Sequence, residues 1–128
     1  MSKKNHSVES DKRILDALKK LPFSVEDKKH NLTICLDNNK TRSNETRFEH
    51  IAKKYHQLKV RDIESVPDGI QKYIRFSKSK KHKETYYYLI GRKGNASGFI
   101  QIAVKLYEKD KKRAYVKTIF VTHKIKNE

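Results

Sequence analysis

Three observations predict an α+β fold in which N-terminal helices pack on a four-stranded antiparallel sheet. Apolar residues before Leu32 are few and spaced as on a helix. After Gly69 the apolar period changes to that of strands, and the links between those strands are short and polar. The chain of 128 residues has 35% hydrophobic and 36% charged residues, a balance that would favour disorder if it were evenly distributed. It is not: Ile, Val, Phe and Tyr concentrate from Tyr86 to Val121, enough for the core of one domain spanning 1–128.

The segment Ser10-Asp-Lys-Arg-Ile-Leu-Asp-Ala-Leu-Lys-Lys-Leu21 opens with an N-cap residue and puts Ile14, Leu15, Leu18 and Leu21 on one stripe, so a short amphipathic helix is expected before Pro22. A polar linker leads to a strand, Leu32–Leu36, and to the polar loop 37–43. Ser43 or Asn44 can cap a second helix reaching about Gln57, with Phe48, Ile51, Ala52 and Tyr55 inward. Val60, Ile63 and Val66 predict a further turn or two of helix, and Pro67-Asp-Gly69 reads as a turn. Strands are then expected over Ile70–Phe76, Thr85–Ile90, Phe99–Tyr107 and Ala114–Thr122, forming a meander. Ile100, Ile102, Val104 and Leu106 would lie under the helices, with Phe99, Gln101, Ala103, Lys105 and Tyr107 on the other face.

The formal charge is +16. Such a charge points to an anionic partner, RNA first, because neutralised phosphates release their counterions. A lysine- and asparagine-rich composition also arises from genomic base bias, and the clusters Lys78–Lys83 and Lys109–Arg113 read equally as solvated loops or as phosphate contacts. Neither faces an apolar helix stripe, and no apolar run approaches the roughly 20 residues that cross a bilayer, so no membrane role is expected. The one cysteine, Cys35, forms no internal disulfide and is expected to be buried. A cytoplasmic protein is expected, or a domain delivered into a target cytoplasm within a larger protein.

The six histidines and Cys35 fall into no metal-binding spacing, and the loop Gly91–Gly98 lacks the Lys-Ser or Lys-Thr and the following helix of a phosphate loop; neither metal nor cofactor is expected. Cutting RNA without a metal requires a base for the 2'-hydroxyl, an acid for the departing 5'-oxygen, and cations for the charge on phosphate. His50, His56, Arg75, Lys105 and Thr118 supply those groups. On an ideal helix His50 and His56 diverge by about 120°, which leaves open which of them acts. His50 shares a helix face with Lys54, a cation that favours the neutral imidazole a base needs. Contacts to RNA are expected from Lys53 and Lys54, from Lys78, Lys80, Lys81 and Arg92 between strands, and from Tyr88, whose ring can stack on a base. Adjacent tyrosines alternate faces, so at least one of Tyr86, Tyr87 and Tyr88 is expected in the core.

From Leu32 to Thr122 the order of features resembles the metal-independent ribonuclease superfamily of barnase, EndoU, colicin and RelE type (the BECR fold), in its phage- and mobile-element-associated branch. The resemblance is carried by a strand followed by His50-Ile-Ala-Lys-Lys-Tyr-His56, by Val66-Pro-Asp-Gly-Ile70, and by a strand series closing on Val116-Lys-Thr-Ile-Phe120 with Lys105 on the strand before. It implies an endoribonuclease, such as a toxin domain or a processing nuclease, with a nuclease-like core over 31–122; residues 1–30 fall outside the resemblance and are expected to form a helical extension. His50 or His56 would move protons, Arg75 and Lys105 would hold phosphate, and Thr118 would orient it. Transfer RNA or another structured RNA is the implied substrate, and an antitoxin or immunity protein the implied partner. The alternative reading is an RNA-binding module without catalysis.

Overall fold

The computed structural model describes residues 12–53, 57–94 and 96–123. Its class is α+β, with a mixed six-stranded sheet in place of the predicted four-stranded antiparallel one. The strands are β1 (Ser24–Asp27), β2 (Leu32–Cys35), β3 (Arg75–Lys78), β4 (Thr85–Gly91), β5 (Phe99–Tyr107) and β6 (Asp110–Thr122), in the spatial order β1-β2-β6-β5-β4-β3. The meander β3 to β6 is antiparallel as expected, whereas β2 adds to β6 in parallel and β1 adds to β2 as a hairpin.

β1 lies in the stretch read as a polar linker inside the helical extension. Its burial alternates, with Val25 and Asp27 inward, so an acidic residue occupies a core position. Asp27 is held there by three donors. The Tyr88 hydroxyl donates to its Oδ2 at 2.5 Å, the His30 ring Nδ1 lies 2.8 Å from the same oxygen, and the His30 amide donates to Oδ1 at 3.3 Å and so closes the turn into β2. In a flat sheet four strand spacings would keep β1 about 19 Å from β4. The Asp27–Tyr88 contact therefore requires the sheet to curl until its edges approach. His30 stacks on Phe76 at 3.8 Å, Phe76 stacks on Tyr86, and the seam between the edges is filled with rings.

The helices fill the inside of the curl. Residues 12–19 form α1, followed by α2 (Arg47–Ile51), α3 (Val60–Glu64) and α4 (Val66–Gln71). Ile14, Leu18, Phe48, Ile51, Ile63, Val66 and Ile70 meet Ile100, Ile102 and Val104 of β5, the face expected to be covered. Ser10, the expected cap of α1, lies outside the described residues, as does Tyr55. α2 is capped by Thr46 in a reciprocal arrangement with Glu49, not by Ser43 or Asn44, and ends at Ala52 rather than near Gln57.

Pro67-Asp-Gly69 is the start of α4 and not a turn, because proline in a first helical turn forfeits no backbone hydrogen bond. Ile70 accordingly belongs to α4, and the expected strand Ile70–Phe76 shrinks to β3. β6 starts at Asp110, so most of the Lys109–Arg113 cluster is strand, where Arg113 pairs with Thr33. Cys35 is fully buried and accepts from Arg113 Nη2 at 3.3 Å.

Gly69 is where α4 touches β4: a Cβ there would run into the Ile90 side chain. Alanine is ordinarily the better helix former by about 1 kcal/mol. Gly69→Ala is nevertheless expected to destabilise by about 1–2 kcal/mol, since the added methyl overpacks a closed contact; urea unfolding checks this.

Candidate functional site

The face of the sheet opposite the helices carries a hollow built from one small side chain among larger ones. Ala103 of β5 is its floor, flanked along the strand by Gln101 and Lys105 and across it by Tyr87 of β4 and Thr118 of β6. Thr85 and Phe120 belong to the neighbouring rows, and His82 comes in from the loop before β4. The hollow has a volume of about 210 Å³. Its polarity comes from a β-bulge. Val104 pairs with Val116 but Ala103 pairs with Thr118, so Lys117 is an extra residue, and Lys117 and Thr118 both line the hollow although adjacent strand residues normally face opposite ways.

β2 stops at Cys35, and beyond it α2 comes against β6. Arg47 on the first turn of α2 donates from Nη1 to the Lys117 carbonyl at 3.2 Å and from Nε to Asn39 at 3.1 Å, with its guanidinium 5.4 Å from the Tyr115 ring centroid. Burial holds the Lys117 ammonium below the ordinary lysine range, and the positive charges of Lys105, Arg47 and Arg42 push it the same way. No carboxylate is among the described residues lining the hollow. Beside Lys117, the buried Thr118 hydroxyl has no hydrogen-bond partner among the described residues. Crowded cations next to an unsatisfied donor form a place for an anion.

The residues singled out in the sequence fall in several separate places. Thr118 lines the hollow, Lys105 lies one position along β5 from its floor on the same face, and Arg75 lies at the far edge of that face in the row Arg75–Leu89–Gln101–Phe120. His50 is on α2, three residues from Arg47, with Nδ1 3.2 Å from Glu45; Lys53 holds the other Glu45 oxygen at 2.9 Å. The charged neighbour described for His50 is therefore a carboxylate; Lys54, the cation expected beside it, and His56 lie outside the described residues.

Lys78, Lys80 and Lys81 are exposed at the end of β3 and in the loop after it. The buried Ser79 shapes that loop by accepting from the amides of Lys81 and His82.

Two residues expected to touch RNA are turned inward instead. Tyr88 is fully buried on the helix side, bonded to Asp27, while Tyr87 is the tyrosine on the open face. Arg92 forms a buried two-pronged pair with Asp62, Nε to Oδ1 at 3.1 Å and Nη2 to Oδ2 at 2.8 Å, and donates to the Ser97 carbonyl. Its charge is spent on anchoring the loop after β4 to α3, and breaking such a pair costs about 3–5 kcal/mol. Two larger hollows differ from it. One, of about 520 Å³, is walled by Glu26 and Asp27 as well as Lys28 and Lys29, so its charges offset; the other, of about 530 Å³, is lined by Lys59, Arg61 and Arg92, the last of them committed to Asp62.

Lys117, Arg47, Gln101 and His82 were not selected by the sequence. One signal for Lys117 was present: inward positions of β6 run Ala114, Val116, Ile119, a jump in parity that marks a bulge. Comparison with models of protein families, with curated proteins and with solved structures gave no match. Among the described residues no three His, Cys, Asp or Glu side chains gather as metal ligands, and no helix is long and apolar enough to cross a membrane. What the fold and the hollow define is a basic α+β domain whose open sheet face carries a hollow beside Lys105, Lys117 and Thr118, with no carboxylate among its described lining residues.

The orphaned hydroxyl gives a direct test. Thr118→Val keeps the shape and removes the unsatisfied group, so it is expected to raise unfolding stability by about 1 kcal/mol while weakening anion binding; paired denaturation and phosphate-titration measurements check both signs.

Proposed function

We propose that the chain is a metal-independent endoribonuclease that grips RNA on the helix-free face of its sheet. The observation that carries this reading is the desolvated Lys117, crowded by Lys105, Arg47 and Arg42 beside the unpartnered Thr118 hydroxyl. A phosphodiester relieves that crowding and satisfies the hydroxyl at once. The 2'-hydroxyl attacks the adjacent phosphorus, the 5'-oxygen leaves, and a 2',3'-cyclic phosphate remains. Lys105 and Lys117 oppose the charge gathering on the phosphoryl oxygens, Thr118 orients them, and Arg75 holds the strand at the edge of the face. Proton transfer falls to His50, oriented by Glu45, and to His82 at the rim. An acidic protein laid over this face would act as its antidote.

One observation favours a second reading, an RNA-binding module without catalysis: among the described residues lining the hollow His82 is the one imidazole, so no acid–base pair is assembled there. Incubation with total and transfer RNA in chelator separates the two. Discrete fragments ending in 2',3'-cyclic phosphate, reduced at least about a hundredfold by His50→Ala or His82→Ala with RNA retention unchanged, are expected of the nuclease. Retained but intact RNA would replace it with the binding module.

The pH dependence of binding has a defined sign. Lys117 holds phosphate only when protonated, and its value lies below the ordinary one of about 10.4. RNA affinity is therefore expected to fall as pH rises into the alkaline range, beginning below that value. Lys117→Met should remove the early part of the fall and lower the slope of affinity against salt by about one counterion; fluorescence anisotropy at several pH and salt values reads both.

A further inference from the structure

We propose that the hollow over Ala103 is a base pocket that takes one unstacked adenine of single-stranded RNA, with Gln101 as the residue that reads it. The inference rests on the RNA reading above and adds a specificity to it. Gln101 is 7% exposed as a residue and lines the hollow, and its side-chain amide is not among the buried groups left without a partner, so it belongs to the accessible wall. An amide offers one acceptor and one donor side by side in a plane, which matches the N6 amino group and N7 of adenine.

The surroundings suit a flat ring. Ala103, 5% exposed, leaves a recess in a row where its partners are Tyr87 and Thr118, and Phe120 pairs with Gln101 itself. Aromatic side chains therefore stand on both neighbouring strands, as stacking on an unpaired base requires. At about 210 Å³ the recess falls below the range of about 300–1,000 Å³ typical of drug-sized ligands, so it admits a single base. Lys117 and Thr118 lie at one wall, placed to hold a phosphate flanking the nucleotide whose base is inserted.

The test uses the intact chain and fluorescent 2'-O-methyl oligouridylates, which cannot be cleaved through the 2'-oxygen, carrying at their centre an adenosine, a uridine, a cytidine or an abasic site. The wild type is expected to bind the adenosine oligomer about tenfold more tightly than the abasic one. Gln101→Leu, which removes the reading edge, and Ala103→Leu, which fills the recess, should each bring the adenosine oligomer down to the abasic level while leaving abasic affinity within about twofold. Equal wild-type binding of all four oligomers would overturn the base pocket and leave the RNA reading standing. So would a uridine or cytidine preference, or an adenosine preference that survives both substitutions. Absence of binding to any of them would remove the RNA reading together with the pocket.

Discussion

The architecture depends on one buried carboxylate. Asp27 enters the core on the first strand and is tolerable there because the Tyr88 hydroxyl, the His30 ring and the His30 amide surround it. Those bonds join an edge strand to a strand four places away, so satisfying the carboxylate and curling the sheet are the same event. Burial and the negative charge of Asp27 raise the Tyr88 phenol well above its ordinary value, so Tyr88 remains a donor throughout the neutral range. Once curled, the sheet has an inside that four short helices can fill and an outside left to polar chemistry.

That outside is energetically unusual in a way the inside is not. Inward polar groups such as Asp27 and the Arg92–Asp62 pair are matched by partners at hydrogen-bonding distance. On the open face Lys117 is partly buried among like charges, and Thr118 lacks a partner among the described residues. Such imperfections cost stability, and the bulge at Lys117 and the small side chain at Ala103 are the two local devices that shape the face that carries them.

The meander was legible because β4, β5 and β6 alternate strongly and their links are short; the limits of β5 were read to the residue. β1 was not legible, because in Ser24-Val-Glu-Asp a single apolar residue alternates with polar ones and the other inward position holds an acid whose partners are distant in sequence. Pro67 and Gly69 mark a turn by composition, yet proline is well placed in a helix's first turn and Gly69 is required by contact with Ile90, a tertiary fact. Of the residues about the hollow, Lys105 was selected from its position on a strand and Thr118 from the resemblance carried by Val116-Lys-Thr-Ile-Phe120. Arg92 and Tyr88 were misplaced since charge and aromaticity do not reveal whether a partner such as Asp62 or Asp27 waits inside. Arg47 and Lys117 meet only when residues 70 positions apart are brought together, which no local pattern encodes.

The place of β6 in the sheet has a consequence for how the molecule is made. It is the last of the described strands to leave the ribosome, yet it lies between β2 and β5 and carries the bulge. Local hairpins can form early from β3 to β5, but the N-terminal segment must wait for pairings such as that of Cys35 with Arg113, 78 positions on. The cationic hollow is thus absent from every nascent chain that has not yet released β6. Synthesis itself keeps the face silent until β6 has emerged.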